Sequence, residues 1–278
     1  MKNNKAIFYA ILAAALYAIN APVSKLLLAE IPSTMMAGLL YLGAGIGMYL
    51  LEIFNKNKKE LPYTVAMVIL DIAAPIFLMI GLTKCSAANA SLLNNFEIVA
   101  TSLIALFIFK EAISKRLWLA IIFVTTSSIL LSFEDMSSLQ FSWGSIFVLF
   151  ACVCWGFENN CTRMLSSKNP AQIVIIKGFG SGLGALILSL AIGERFFQIG
   201  YIVLALILGF VAYGLSIFFY IYAQRYLGAA KTSTYYAVSP FIGAGLSLII
   251  FNERPSILFI VALFIMALGT YFASTGEA

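Results

Sequence analysis

Long apolar stretches separated by short polar segments follow one another along the whole chain. Ten of these stretches reach the roughly 20 residues that a membrane-spanning helix needs. They lie near positions 6–29, 34–54, 62–82, 86–109, 117–133, 142–165, 170–193, 199–222, 229–251 and 255–274. Their hydrophobic runs are continuous and do not alternate with period two, which favours helices over a transmembrane barrel. The pattern predicts an all-α integral membrane protein with ten transmembrane helices, numbered one to ten.

Composition assigns the whole chain to this helix bundle. Of its 278 residues, 62% are hydrophobic and 10% are charged, whereas an average soluble domain is about 25% charged. The loops are too short to form a separate domain. The first apolar stretch follows Lys2 and Lys5 as a signal peptide would, but it is longer and leads directly into further spans. We therefore expect it to remain in the protein as helix one.

The basic residues are divided unevenly between the two ends of the predicted helices. With a cytoplasmic N-terminus, twelve face the cytoplasm and four face outward, in agreement with the positive-inside rule. The cytoplasmic set is Lys2, Lys5, Lys56, Lys58, Lys59, Lys110, Lys115, Arg116, Arg163, Lys168, Arg225 and Lys231, and the outward set is Lys25, Lys84, Arg195 and Arg254. This bias predicts a multi-pass protein of the cytoplasmic (inner) membrane with both termini cytoplasmic. It also accounts for the basic residues, so no nucleic-acid partner is predicted.

The two halves of the chain resemble each other. At an offset of 138 residues, the segment 16–20 aligns with 154–158. With a few extra residues in the second half, 109–111 aligns with 251–253. The common order and the equal number of helices indicate an internal repeat.

The repeat predicts how the protein is built and what it does. We assign five helices to 1–135 and five to 136–278, together forming one membrane domain. Because five is odd, the second repeat enters the membrane in the opposite direction from the first. Inverted repeats are typical of secondary transporters, whose halves rock about a site near the bilayer midplane. A duplicated bundle without transport is the alternative.

With the repeat established, the chain resembles the ten-helix EamA type of the drug/metabolite transporter superfamily over essentially its whole length. The marks of the resemblance are the helix-one motif around Tyr17, its echo at Trp155-Gly156, and the ends of helices four and nine, Phe109-Lys110-Glu111 and Phe251-Asn252-Glu253-Arg254-Pro255. The resemblance implies a carrier for metabolites such as amino acids, nucleotide-type compounds, quaternary amines or drugs. It also implies a cavity lined mainly by helices one, three, four, six, eight and nine.

Charged residues away from the helix ends are candidates for binding a substrate or a proton. They are Asp71 in helix three, Glu97 in helix four, Glu158 in helix six and Lys177 in helix seven. A carboxylate at bilayer depth costs roughly 2.5–3.5 kcal/mol on insertion scales, so it usually faces a cavity and has a function. Since the chain has no His, these acids are the candidates for proton coupling. For Lys177, the alternative is a structural salt bridge with one carboxylate.

Polar and aromatic neighbours extend the candidate site. Asn20 aligns with Glu158, so we expect the two side chains to approach each other near the midplane. The polar face of helix four spans an arc of about 120° and carries Ser91, Asn94, Glu97 and Thr101. The remaining candidates are Trp155 and Asn159 in helix six, Tyr213 in helix eight and Tyr236 in helix nine. Packing or structural hydrogen bonding is the alternative for each of them.

Three carboxylates and one lysine favour a cationic or zwitterionic solute. An ammonium group beside Glu158 would also be attracted to the ring of Trp155. We therefore predict an exporter of such a solute, coupled to protons through the intramembrane carboxylates. The alternative is an exporter of neutral or aromatic amino acids in which the carboxylates are structural. The predicted partners are the small-molecule substrate, protons and membrane lipids, and the internal repeat favours a functional monomer.

Other function classes fit the sequence less well. A Ser–His protease needs a His, and an aspartyl intramembrane protease needs two Asp within spans, where only Asp71 is available. The short loops argue against a lipid-modifying transferase, and a channel would not need inverted halves of unequal polarity. The thiols are interpreted as small hydrophobic groups, so no metal site and no cofactor are predicted. They belong to Cys85, Cys152, Cys154 and Cys161.

Overall fold

The structure, a computed structural model, describes residues 2–51, 61–110, 114–135, 140–164 and 170–275. The helices are α1 Lys2–Ala18, α2 Asn20–Leu27, α3 Ser33–Leu51, α4 Leu61–Lys84, α5 Ala87–Leu93, α6 Phe96–Phe107, α7 Lys115–Ser132, α8 Trp143–Met164, α9 Pro170–Ala191, α10 Ile199–Gly209, α11 Ser216–Tyr236, α12 Ser239–Ile250 and α13 Ile257–Thr275. A π-helical segment, Phe210–Leu215, joins α10 to α11, and a short hairpin of β1 Phe133–Asp135 and β2 Gln140–Phe141 joins α7 to α8. This helical, apolar architecture confirms the predicted fold class.

These helices account for the predicted membrane spans. Seven described stretches are long and apolar enough to cross a membrane, and α12 and α13 are shorter apolar helices. Predicted helix six corresponds to the 22-residue α8. Large apolar side chains such as Ile122 on α7 and Phe264 on α13 are exposed, as a lipid-facing surface requires. The basic run at 56–59 lies outside the described residues.

Helices eight and nine are two spans, although α11 extends from one into the other. The rings of Tyr220 and Tyr236 contact each other with centroids 4.8 Å apart. In a straight α-helix, residues 16 positions apart would be separated by about 24 Å. The chain therefore turns back between these tyrosines. Helix eight covers Ile199–Ala223, and Tyr236 belongs to helix nine.

The pairing of helices is symmetric under exchange of the two predicted repeats. Helix two packs along helix seven (α3 on α9), helix five along helix ten (α7 on α13), and helix four against helix nine (α5 on α12). The packing of helix three on helix six (α4 on α8) is matched by that of helix one on helix eight (α1 on α11). Such pairing is what two equivalent halves related by a twofold axis would produce. The repeat bounds themselves stay a prediction, and residues 136–139 lie outside the described ranges.

Two pairs of aligned residues also share local geometry. Lys110 and Asn252, which follow helices four and nine, both have positive φ angles, 59° and 50°. Ser114 and Ser256 both accept a hydrogen bond from a backbone amide in the first turn of the next helix. Glu111, part of the same aligned motif, lies outside the described residues.

Three spans are interrupted within the membrane. Helix one breaks at Ile19, helix four at 94–95 and helix nine at 237–238. Pro22 and Pro240 each lie four residues after the last residue of the preceding helix, where their missing amide hydrogen prevents the next helical hydrogen bond. Pro240 thus occupies the first turn of α12, where proline is tolerated.

The helix bundle is packed more tightly at one end than at the other. We call the end that holds both chain termini the terminus end, and the opposite one the far end. At the far end the half-helices α2, α5 and α12 pack against one another. There Lys25 of α2 donates hydrogen bonds to the carbonyls of Leu82 and Cys85 at the end of α4. At the terminus end, no packing of similar extent joins α6 to α11 among the described contacts.

Glycine allows helices two and seven to cross closely. A Cβ added to Gly178 of α9 would lie 2.3 Å from the Cα of Gly45 on α3, so neither position has room for a side chain. Small residues of this kind let membrane helices approach through their backbones. The neighbouring Lys177 is thereby directed into the interior between α4 and α8.

Candidate transport site

One lysine links two carboxylates where helices three, six and seven meet. Lys177 Nζ on α9 lies 2.5 Å from Glu158 Oε1 on α8 and 3.5 Å from Asp71 Oδ2 on α4. All three residues are buried. Tyr41 on α3 donates a 2.9 Å hydrogen bond to Asp71, and Thr162 donates one to Glu158. One cation therefore balances one of two carboxylates, and this cluster keeps an excess negative charge if both are ionised.

Glu97 is held in a different way. It lies in the first turn of α6, directly after the break in helix four. Its Oε1 accepts a 2.5 Å hydrogen bond from the Asn159 amide on α8, and the same amide lies 3.4 Å from Thr101 Oγ1. Lys177 and Glu158 are close enough to interact with Glu97 electrostatically, but in the described part of the chain no cation pairs with it. Its side chain is only partly buried.

Tyrosines from four helices lie beside these carboxylates. The Tyr213 ring lies 5.1 Å from that of Tyr41 and 5.8 Å from that of Tyr17, and Tyr236 lies 6.0 Å from Tyr17. The Tyr213 hydroxyl accepts a 3.1 Å hydrogen bond from the Asn20 amide. Tyr213 belongs to the π-helical segment of helix eight, an irregularity often found at functional sites. The site thus combines carboxylates with aromatic rings.

Comparison with known protein families shows to which family the chain belongs. A family model described as "EamA-like transporter family" matches residues 4–133 and again residues 142–275. The chain belongs to the EamA-like transporter family. It is therefore a multi-pass membrane transporter, as the resemblance in its sequence implies.

Individual relatives agree with this family assignment. An "Uncharacterized transporter" from Methanothermobacter thermautotrophicus is 24% identical over 282 residues, covering 92% of this chain and 82% of the relative. A protein crystal structure is similar with a TM-score of 0.72, covering 98% of this chain and 97% of its own. Its sequence identity is 15%, so the likeness shows the fold alone.

In this EamA-like transporter, most of the residues singled out in the sequence lie close together. They form three adjoining groups, namely Asp71, Glu158 and Lys177; Glu97 and Asn159; and Asn20, Tyr213 and Tyr236. Lys177 pairs with two carboxylates, where a bond to one is the simplest expectation from the sequence. Trp155 is buried in the core, with 6% exposure.

Asn20 and Glu158 have separate partners, although their alignment predicts that they approach each other. Asn20 bonds Tyr213 and Ser24, whereas Glu158 bonds Lys177 and Thr162. The reason is helix pairing: helix one packs on helix eight, and helix six packs on helix three. Asn20 therefore bonds a residue of the other predicted repeat, whereas the bonding partners of Glu158 lie in its own repeat.

The structure differs from the sequence-based expectations at two further residues, on helices two and four. Asn94 lies in the break of helix four, and its Oδ1 has no hydrogen-bond partner among the described residues. It is therefore not part of a continuous helical stripe with Glu97. Sequence reasoning missed Tyr41, because helix two is not among the helices that the resemblance places at the cavity. No charge or motif marks Tyr41 in the sequence.

A polar cavity of about 730 Å³ lies at the far end of this transporter. Its lining includes Lys25, Lys84, Asn89, Glu253 and Ser256. The packed half-helices α2, α5 and α12 lie between this cavity and the Glu97 group, since Glu97 follows the helix break.

Proposed function

We propose that this transporter moves a small cationic or zwitterionic organic solute by alternating access, coupled to protons through Glu97. The observation that carries the proposal is a difference between the carboxylates. Asp71 and Glu158 share Lys177. Glu97 accepts a hydrogen bond from the Asn159 amide and has no cation of its own within the described ranges.

An unpaired carboxylate inside a bundle is well suited to coupling. A bare charge in a medium of low polarity is unfavourable, and it is relieved either by a proton or by a bound cation. The two compete for the same oxygen atoms, so binding of one releases the other. The partial exposure of Glu97 supports access by both.

The Lys177 cluster has a supporting role in this proposal. It joins helix three of the first predicted repeat to helices six and seven of the second. With Asp71 and Glu158 both ionised, the excess negative charge of the cluster adds to the potential that attracts a cation. Glu158 thus acts through the local field and through packing, and Glu97 makes the direct contact.

The tyrosines favour an organic cation over an inorganic one. A cationic group within about 6 Å of an aromatic ring face is attracted by the ring. Tyr17, Tyr213 and Tyr236 all lie near enough to Glu97 to interact with it electrostatically. A solute that carries an amine on a compact apolar or aromatic body matches both groups.

The charge bias supports an orientation and a direction. Twelve basic residues against four favour cytoplasmic termini in a cytoplasmic membrane. The less tightly packed terminus end would then face the cytoplasm, from which an internal solute reaches the site, so we propose export. The inverted repeats supply the opposite state by symmetry.

An exporter of neutral or aromatic amino acids is the second candidate. The observation that favours it is the tyrosine cluster around Tyr213, which suits an aromatic side chain without a net charge. In that case Glu97 and Asn159 form a structural hydrogen bond between helices four and six.

Glu97→Gln tests the proposal because it keeps the shape of the side chain and removes the titratable group. Thermal-shift screening of purified protein against amines, amino acids and nucleosides first identifies a ligand. In proteoliposomes, uptake of that ligand driven by a pH gradient should fall about tenfold or more in Glu97→Gln, a loss of about 1.4 kcal/mol or more.

Glu30→Gln is the matched control, since Glu30 is an exposed carboxylate in the loop after α2, and it should transport normally. If Glu97→Gln transports at the normal rate with an unchanged pH dependence, Glu97 does not couple transport to protons. A neutral ligand combined with that result would favour the amino-acid exporter.

A further inference from the structure

Prolines leave backbone carbonyls free at two of the helix breaks. In a continuous helix, the carbonyl of Ala18 would accept from the amide of residue 22, but Pro22 has no amide hydrogen. The carbonyl of Tyr236 loses its partner to Pro240 in the same way. Among the described residues, no other backbone amide donates to either oxygen.

Three buried side chains beside these breaks also have oxygen atoms without partners. They are Ser91 Oγ and Asn94 Oδ1 on helix four and Ser239 Oγ on helix nine. Ser91 is 3% exposed, Asn94 8% and Ser239 1%. Buried polar atoms are nearly always hydrogen-bonded, so three at one junction call for an occupant.

Two of these oxygens meet at Gly243, where α5 and α12 pack against each other. A Cβ built on Gly243 of α12 would lie 2.9 Å from Ser91 Oγ and 3.0 Å from the Ala18 carbonyl. Ser239 precedes Gly243 by one turn on the same helix face, and Asn94 follows Ser91 by about one turn. Both steps lead toward the breaks, so Asn94 and Ser239 lie on the side of this contact that is nearer to the breaks.

We propose that this junction of helices one, four and nine binds a sodium ion. Its ligands are the Ala18 carbonyl, Ser91 Oγ, Asn94 Oδ1 and Ser239 Oγ. Freed carbonyls at interrupted helices bind sodium in other transporter folds, and hard oxygen ligands suit hard cations. All four ligands are neutral, which favours a monovalent ion over a divalent one.

None of these ligands is a carboxylate that the proposed function uses, although Asn94 lies three residues before Glu97. The oxygens of the site belong to α5, to the break that follows α5, to the start of α12 and to the end of α1. A bound ion would hold these three helices together. Occupancy therefore favours the packed arrangement of these helices at the far end.

Thermal unfolding of the purified protein tests the site without any substrate. The unfolding midpoint is measured against sodium chloride concentration, with choline chloride keeping the ionic strength constant. A ligand that binds only the folded state raises the midpoint in a concentration-dependent way. Ser239→Ala removes one ligand and should raise the half-saturating sodium concentration about tenfold, the effect of about one lost contact. Ser91→Ala should do the same if Ser239→Ala does not fold.

Ser247→Ala is the control on the same helix, because the Ser247 hydroxyl donates to the carbonyl of Gly243 one turn before it. It should leave the sodium response unchanged. Equal midpoints of the unaltered protein in sodium and choline chloride would overturn the proposal, since the junction would then hold only water. A weakened response in Ser247→Ala equal to that in Ser239→Ala would overturn the assignment of ligands.

Discussion

At the residue scale, Lys177 holds together the largest concentration of buried charge in the described structure. Its ammonium lies 2.5 Å from Glu158 and 3.5 Å from Asp71, and all three residues are removed from solvent. Removing one partner of a buried ion pair costs about 3–5 kcal/mol, because the other charge stays uncompensated. Here the loss of one side chain would leave two such charges.

Lys177→Met should therefore lower the thermal unfolding midpoint strongly, since it keeps the length of the side chain but removes its charge. Adding Asp71→Asn and Glu158→Gln should restore most of the stability, because the cluster is then neutral. Fluorescence-detected thermal unfolding measures both effects, with Lys84→Met as the control at an exposed lysine. An unchanged midpoint in Lys177→Met would show that the cluster contributes little to stability.

The sequence identifies these charged residues but not their partners. Asp71, Glu158 and Lys177 stand out because each is a charge in an apolar span. Which of them meet is decided by the crossing of helices three, six and seven, which hydropathy does not encode. The contribution of Tyr41, an ordinary tyrosine in an apolar helix, could not be predicted for the same reason.

At the scale of the helix, close backbone contact fixes the crossing of α3 and α9. Gly178 lies against Gly45, with no space for a methyl group on either. Overpacking of a tight contact typically costs about 1–3 kcal/mol. In an open position on a helix, replacing glycine by alanine instead stabilises by up to about 1 kcal/mol.

Gly178→Ala and Gly245→Ala should thus change stability in opposite directions. Nothing lies within 4 Å of a Cβ added to Gly245, so that variant should unfold at the same or a higher temperature. Gly178→Ala should unfold at a lower one. Thermal unfolding of the two purified variants side by side provides the comparison, and equal midpoints would mean that α3 and α9 have room to separate.

The helix breaks differ in how far the sequence predicts them. Those in helices one and nine coincide with Pro22 and Pro240, whose missing amide hydrogen can be recognised in the sequence. The sequence does not distinguish them from Pro75, through which α4 continues. The break in helix four has no proline, and the predicted span 86–109 runs across it. One carbonyl freed there, that of Leu93, accepts from the Cys152 thiol of helix six at 3.5 Å. A contact between distant segments of this kind cannot be predicted from local pattern.

At the scale of the whole molecule, the two ends of the bundle are packed differently. The half-helices α2, α5 and α12 pack together and close the far end. The Lys25 ammonium on α2 donates hydrogen bonds to the carbonyls of Leu82 and Cys85 at the end of α4. In the alternating-access mechanism that we propose for this protein, the closed end must open during each cycle. Fixing α5 to α12 should therefore stop transport without unfolding the protein.

A disulfide between Ser91→Cys and Gly243→Cys provides this constraint. The Cβ of residue 243 would lie 3.3 Å from that of Ser91, close to the roughly 3.8 Å typical of disulfides. In a background without the four native thiols, oxidation should abolish solute flux and reduction should restore it. Ser91→Cys alone should be insensitive to oxidation. Full flux in the oxidised double variant would show that α5 and α12 do not separate during transport.

The two matched helix interfaces bear on how the halves of this protein came to depend on each other. The interface between helices one and eight contains the neutral Asn20–Tyr213 hydrogen bond. The interface between helices three and six contains Asp71 and Glu158, which share Lys177. Two identical five-helix halves could pair with each other, because the two helix interfaces between them would be the same. Two copies of the present first half would bury Asp71 with no lysine to meet it. We therefore expect the two predicted halves to be complementary: if they were produced as separate chains, each should assemble only with the other.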